Sequence, residues 1–331
     1  MIILAIILLL SLWMNLYADT LTDVKARGFI RCGIHEALTG FSTIDKKGER
    51  IGFDIDFCRA ISSAIFQSPD KVKYVPVNIK TRFLALSSGT VDVLSRNTTW
   101  SLDRDTGLGI SFTAINFYDG QSFLVPKKFN IKQLSDLNGA TICVMPGTTT
   151  ELNLADYFSS RKIKYTPVVV ESLHQAMVAY EQKRCDAFTT DRSALEVNID
   201  LLKNPNDHEV LNEIISKEPL ALAVASGDEK WRKIVTWVVW STIQAEELEV
   251  DMRNVDSMKL SKNPKIMRLL GTTPLQGIDN LGLKPNFIYF VIAQVGNYGE
   301  IFKRNLKPLG LSRHLNHLWN NGGLMYSPPI R

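Results

Sequence analysis

The sequence predicts an α/β protein built as two lobes that face each other across a cleft. Three observations predict it. Strand-like and helix-like segments alternate along the first two-thirds of the chain, as in parallel sheets flanked by helices. The same order of elements occurs twice. After the third strand of each set stands a polar cluster, Arg96-Asn97-Thr98-Thr99-Trp100 in the first and Thr189-Thr190-Asp191-Arg192 in the second, and open α/β folds bind ligands just beyond the carboxyl ends of their strands.

The elements follow in order. "FIRCGI" (29–34) reads as the first strand. "GFDIDFCRAISSAIF" (52–66) places Ile55, Cys58, Ile61, Ile65 and Phe66 near one face of a helix, and "KVKYVPV" (71–77) is the second strand. "TRFLALSSGTVDVL" (81–94) supplies a helix carrying Phe83, Leu84 and Leu86, a stop signal at Gly89 and the third strand. The second set begins with "ATICVMPGTTTELNLADYF" (140–158), a strand, a glycine-containing turn and a helix start. A strand over 163–170 comes next, then a helix from Ser172 that ends in basic residues before the strand 186–190. Two segments connect the sets: 111–128, extended, aromatic and closed by Pro126, and 217–228. Hinges are expected near 116–120 and 220–223. Two crossings make the first lobe discontinuous (19–116 and 222–331) around a second lobe (122–218). From Glu229 on, a mostly helical carboxyl-terminal extension is expected.

The whole chain narrows the function classes. It has 331 residues, 45% hydrophobic and 22% charged, the composition of a folded globular protein. The net charge of +4 is mild and the basic residues are scattered, so nucleic acid is not the implied partner. Ile2 to Leu12 is a nearly unbroken apolar run of signal-peptide length, too short for a spanning helix. A cleaved signal segment over 1–18 and a soluble, exported protein are the expectation. An uncleaved anchor is the alternative, because no Lys or Arg precedes the run and Leu16 is bulky for a cleavage site. Cys32 with Cys58, and Cys143 with Cys185, could each close a disulfide within one lobe; four buried thiols are the other reading. The five histidines show no metal-ligand spacing, so neither a metal nor a cofactor is expected.

Several stretches carry a resemblance: "GFDIDFCRAI", "ALSSGTVDVLSRNTTWSLDRDTGLGISFT", "PGTTTE", "RCDAFTTDRSAL", "EPLALAVASGD", "VGNYGEIF" and "GGLMYSPPIR". Together they resemble the periplasmic solute-binding proteins of amino-acid ABC importers, and most closely the general L-amino acid-binding branch. "RNTTWSLDRDT" and "GGLMYSPPIR" are the stretches most particular to that branch. The resemblance covers nearly the whole chain after residue 18. It implies the type II periplasmic binding-protein fold and a non-enzymatic periplasmic protein. Such a protein captures L-amino acids with broad specificity and delivers them, as a monomer, to an inner-membrane permease and its ATPase.

A free amino acid is a zwitterion, so its receptor needs donors for the carboxylate and acceptors for the ammonium. Arg104 is the candidate carboxylate partner, because a guanidinium grips a carboxylate through two parallel bonds; a surface arginine paired with Asp103 or Asp105 is the alternative. Arg96 competes with it, and the resemblance favours Arg104. Thr99 can offer its N–H to the carboxylate and its hydroxyl to the ammonium, with the Asn97 carbonyl as a second acceptor; capping of the strand end is the other reading of both. "PGTTTE" reads as a turn into a helix amino terminus, which brings Thr149 and Thr148 to the carboxylate, or else as a plain threonine N-cap. By the resemblance, Asp191 accepts from the ammonium; without it, a helix cap is the ordinary role. Leu38 and Phe41 stand near the place where many polar amino-acid binders carry an aromatic wall, and the smaller Leu38 predicts a roomier pocket. His35 and Glu36 depart from the branch. A rival reading is a periplasmic dehydratase of the arogenate or prephenate type on the same scaffold, in which one of those two would act as general acid or base.

Overall fold

A computed structural model describes residues 19–331; the apolar amino-terminal run and the expected cleavage at Ala18 lie outside the described residues. The first set of elements is α1 (Thr20–Arg27), β1 (Ile30–Ile34), α2 (Phe53–Phe66), β2 (Val72–Pro76), α3 (Arg82–Ser87), β3 (Val93–Leu94), α4 (Leu102–Gly107) and β4 (Ile110–Asp119). The second is β5 (Gln121–Pro126), β6 (Ala140–Val144), α5 (Thr149–Ser160), β7 (Tyr165–Val169), α6 (Leu173–Glu181), β8 (Ala187–Asp191), α7 (Arg192–Asn198) and β9 (His208–Val210). The chain then returns through β10 (Glu218–Ala225) to α8 (Glu229–Glu247) and, after shorter helices, α9 (Phe287–Gln294) and α10 (Tyr298–Asn305).

Two five-stranded sheets result, ordered β2-β1-β3-β10-β4 and β9-β5-β8-β6-β7. In each, the strands expected from the alternation pair in parallel: β1 with β2 and β3, and β6 with β7 and β8. The two connecting segments differ from expectation. Rather than open connectors, they form an antiparallel ladder that runs from Glu218 opposite Asp119 to Ala225 opposite Ile110. Their extended, largely apolar sequences satisfy their backbone groups by pairing with each other. The ladder slips between Leu220 and Ala221 and again between Ala221 and Ala223, inside the segment where a hinge is expected. Such irregularities bend a strand and loosen its pairing. The chain passes between the sheets at Asp119-Gly120-Gln121 and just before Glu218. A side chain at Gly120 would come within 2.4 Å of Ile214, so the crossing is packed tight.

Helix α2 is buried more completely than one apolar face predicts: Asp54, Asp56, Ser62 and Ser63 are buried along with the hydrophobic positions. It is covered on one side by β1 and on another by α9 from the carboxyl-terminal extension. Gly52 makes its start possible. With φ at 136° and a hypothetical Cβ only 2.2 Å from the Phe41 carbonyl oxygen, no other residue fits there.

The "VGNYGEIF" stretch, conspicuous in the sequence, is structural. Asn297 and Glu300 form a reciprocal capping box at the start of α10, and Tyr298 donates to the Asn116 carbonyl at 2.9 Å. Phe302 stacks on Phe117 with centroids 6.3 Å apart. Arg304 pairs with the buried Asp56 at 2.7 Å. Asn316 gives and takes a hydrogen bond with the backbone of Tyr118 at 3.0 and 2.7 Å, which covers the outer edge of β4. The extension thus braces the first sheet and the strand that leads out of it.

Cys32 is bonded to Cys58, joining β1 to α2, and Cys143 to Cys185, joining β6 to the turn before β8. Each bridge stays within one sheet and its helices. Their loops of 26 and 42 residues correspond to about 3.5 and 4 kcal/mol of stabilisation on the chain-entropy estimate. Alkylation of the unreduced, denatured protein should therefore add no mass. Replacing Cys143 and Cys185 together by alanine should lower the urea unfolding free energy by about 4 kcal/mol; a loss below about 1 kcal/mol would mean the bridge does not constrain the unfolded chain. Among the described residues no helix is long and apolar enough to cross a membrane.

Candidate functional site

The carboxyl ends of the central strands of both sheets point into one cavity of about 80 Å³. The sequence-derived residues Asn97, Thr99, Arg104, Thr148, Thr149 and Asp191 all line it, the first three from the first sheet's side and the others from the second's. The two sides touch: Thr99 Oγ1 lies 3.4 Å from Thr149 Oγ1, and at the rim Lys80 pairs with Glu171, an exposed contact worth little by itself.

Arg104 is 6% exposed, and among the described residues its side chain bonds to the Thr99 carbonyl and not to Asp103 or Asp105. Its Nη1 donates to the Thr99 carbonyl at 3.0 Å, and its plane lies over Phe83 at 5.4 Å. Burial lowers its pKa, against the pull of Glu218, Asp103 and Asp191. An arginine so placed stays charged with most of its donors unspent. Asp191 ends β8 and precedes α7, yet its side chain makes no capping bond. Burial first, then repulsion from Glu218 and Asp119, holds its carboxyl well above the usual carboxylate range, opposed by Arg104 and Arg82. A cation beside it would relieve that strain.

Asn97 adopts a left-handed backbone, φ 26°, and its Oδ1 is buried without a partner. Its N–H donates to Asp54 at 3.3 Å. Asp54 is itself pushed up to about 7, mainly by burial, with the Asn97 N–H and the Arg96 guanidinium pulling the other way. The two threonines of α5 divide their work. Thr148 is the N-cap, accepting from the Glu151 N–H at 3.1 Å and donating to the Met145 carbonyl at 2.7 Å. Thr149 is free of capping and turns its hydroxyl to Glu218 at 3.0 Å.

Leu38 and Phe41 are not in the cleft. A tight turn, with the Phe41 N–H bonded to the Leu38 carbonyl at 3.0 Å, folds both side chains inward. Phe41 is 1% exposed and packs edge-on against Phe53 and Phe117, while Leu38 joins the same core. Their place on the cleft wall is taken by His35 and Glu36. Burial, and the facing Arg96 and Arg82, hold the His35 imidazole well below its usual range, hence neutral.

Two residues that sequence reasoning passed over stand out. Arg82 is 4% exposed, lines the cavity, stacks on Phe83 at 4.6 Å and has a buried Nε with no partner. Burial, then Arg96 and Arg104, depress it well below the usual arginine range. With Arg96, whose Nε donates to the Val77 carbonyl at 2.9 Å, it gives the cleft two guanidiniums beyond Arg104. One signal was present: Arg82 is four residues before Leu86, so it shares the apolar face of α3. The other is Glu218, a lone carboxylate opening an otherwise apolar strand.

Residues 30–250 match the family model of bacterial extracellular solute-binding proteins, family 3. The chain is 52% identical to the general L-amino acid-binding periplasmic protein AapJ of Rhizobium johnstonii, over 95% of this chain and 93% of that one. It is 45% identical to the glutamate/glutamine/aspartate/asparagine-binding protein BztA of Rhodobacter capsulatus, over 95% and 94%. Among solved structures it is similar to a periplasmic binding protein of an ABC transporter from Brucella ovis with glutathione bound, at 51% identity and a TM-score of 0.92, covering 95% of this chain and all of the other. These relatives favour the transport reading over the dehydratase. The chain belongs to the bacterial extracellular solute-binding proteins of family 3, with the type II fold and the amino-acid-binding components of ABC importers as its near relatives.

Proposed function

We propose that the mature protein captures an L-α-amino acid between its lobes in the periplasm and presents the closed form to an inner-membrane permease and its ATPase, without making or breaking a bond. The observation that supports this most is the pairing of a buried arginine with unspent donors, Arg104, and a buried carboxylate with no capping bond, Asp191, across one cavity. The ligand carboxylate would take Arg104, the Thr99 N–H and the start of α5. The ammonium would take Asp191, the Thr99 hydroxyl and the Asn97 carbonyl. Residues 19–116 with 222–331 would form one lobe and 122–218 the other, closing about 119–121 and the slipped pairing at 220–223.

The far end of the cavity supports a statement about side chains. Arg82, Arg96 and neutral His35 bring donors to a wall that they share with Ile79, Met145, Leu173 and the Glu36 carboxylate, and those donors favour side chains ending in a carboxylate or amide. The name of the Rhodobacter relative fits that reading, as does the glutathione held by the Brucella relative, since glutathione carries a zwitterionic glutamyl head followed by a γ-amide. The roomier pocket read from Leu38 loses its basis in the loop, while the broad specificity implied by the resemblance keeps the support of the general L-amino acid-binding relative.

A thermal-shift screen against the twenty amino acids tests the reading, because a ligand that binds only the folded state raises its melting temperature. Glutamate, aspartate, glutamine and asparagine should give the largest shifts. Small-angle scattering at saturation should show a smaller radius of gyration. No shift with any amino acid at millimolar concentration would refute the proposal, and turnover of arogenate or prephenate would restore the enzymatic rival.

A further inference from the structure

Glu218 opens β10 at the second crossing and is 1% exposed. Its carboxylate accepts four hydrogen bonds. Oε2 takes the hydroxyls of Thr99 at 2.5 Å and Thr149 at 3.0 Å. Oε1 takes the Asn153 amide and the Ser216 hydroxyl, each at 2.7 Å. Those four fill the acceptor capacity of a carboxylate. Thr99 comes from the first sheet's side, Thr149 and Asn153 from α5 on the other, and Ser216 from the crossing itself.

The consequence lies in the hydroxyl protons. A threonine hydroxyl has one proton to give and two lone pairs. An ionised carboxylate can only accept, so both protons point at Glu218 and away from the cavity that Thr99 and Thr149 line. What remains of both hydroxyls toward the ligand is acceptor, beside Asp191 and the Asn97 carbonyl, so the start of α5 serves the ligand carboxylate through its backbone N–H groups and not through the Thr149 hydroxyl. An ammonium, with three N–H groups, can pair with three of these acceptors. A hydroxyl can satisfy one of them and a ketone none, and buried acceptors left unpaired cost affinity.

We propose that Glu218 is a positioning residue which, by holding the Thr99 and Thr149 hydroxyl protons, restricts the cleft to ligands with a protonated α-amino group and excludes the matching 2-hydroxy and 2-oxo acids. The proposal rests on the reading of the cleft as an amino-acid site. Glu218 touches no ligand in it; it acts through the two threonines.

The test compares L-glutamate with L-2-hydroxyglutarate, which keeps both carboxylates and replaces the ammonium by a hydroxyl. Titration calorimetry on the full mature protein should show wild type preferring L-glutamate by a hundredfold or more. In E218Q, the amide can donate to one threonine and so turn that hydroxyl's proton into the cleft. Affinity for L-glutamate should fall at least tenfold while that for L-2-hydroxyglutarate holds or rises, so the preference ratio falls tenfold or more. Equal loss for both ligands would reduce Glu218 to a structural tie between the lobes and overturn the proposal, as would an unchanged ratio. Should E218Q fail to fold, Thr149→Val in the presence of intact Glu218 must lower the same ratio at least threefold, and an unchanged ratio there overturns the proposal equally. If wild type binds no amino acid, the amino-acid reading itself is what fails. If wild type binds both ligands alike, that reading survives and only the role of Glu218 is lost.

Discussion

Arg104→Ala loses binding of every amino-acid ligand alike, by about 3 kcal/mol or more, which is roughly a hundredfold in dissociation constant. The expected uniformity follows from the group it serves. All L-α-amino acids share the carboxylate, and Arg104 is the cleft arginine tied to the Thr99 carbonyl, next to the other backbone donor proposed for that carboxylate. The loss exceeds the value of an exposed pair for two reasons. The cleft is shielded from water when closed, so a carboxylate left without its partner there keeps its desolvation cost. The guanidinium is also held in place before the ligand arrives, by a hydrogen bond and by the Phe83 ring, so little rotamer freedom is lost on binding. Arg104→Lys should recover only part of the affinity, since a single ammonium cannot make two parallel bonds. Calorimetry with glutamate, glutamine and asparagine decides it. Retention of binding within threefold of wild type would remove Arg104 from the site. Loss confined to acidic ligands would move it to the side-chain end, beside Arg82.

How much of this was legible in the sequence depends on what each residue's neighbours are. The parallel strands showed through because alternation with helices is a local pattern, and the polar clusters after β3 and at the carboxyl end of β8 showed through because polar residues interrupt apolar runs there. The crossing strands β4 and β10 did not, since an extended apolar segment reads alike as a connector or a strand until its partner is known, and the two partners are about a hundred residues apart in sequence. Leu38 and Phe41 were misplaced for a similar reason. Position along the first loop suggested the cleft, but the turn between them, and the Gly52 backbone fitted against the Phe41 carbonyl, aim both at the core. The sequence favours Thr149 over the adjacent Thr148 as a contact, and the start of α5 supplies the reason, since Thr148 is the one that caps. Arg82 was hidden by its type, because a lone arginine on a short helix is normally at the surface, whereas α3 here lies against β1, β3, β4 and β10 with Arg82 turned into the cavity.

Asp191→Asn should make the empty protein more stable and a worse binder at the same time. The carboxyl is held well above its usual range, first by burial and then by Glu218 and Asp119. Below the unfolded carboxylate pKa of about 4, both states are protonated and the residue contributes nothing. As pH rises past that value, the unfolded chain releases the proton while the folded chain keeps it. The unfolded state then binds fewer protons, and stability falls until the folded group ionises as well. Asp54, raised to about 7, adds a slope of the same sign that persists in the variant, and Asp119, raised to about 6, is relieved of its repulsion with Asp191 there, so the measurement is the gap between the two proteins. Without ligand, urea unfolding should give nearly equal stabilities at pH 4. By pH 8 the asparagine variant should be ahead by about 1–3 kcal/mol or more, since that is the cost of an unsatisfied buried polar group and a charged one costs more. Saturating L-glutamate should reverse the order, because the ligand ammonium pairs with the wild-type carboxylate alone. Binding of amino acids should weaken by about 2 kcal/mol or more, and binding of des-amino analogues, which bring no cation to this position, should weaken far less. An equal loss for both classes would take the ammonium role away from Asp191. A stability gap that does not change between pH 4 and pH 8 would show that its charge carries no strain in the empty cleft, and the link between that strain and ligand capture would fall with it.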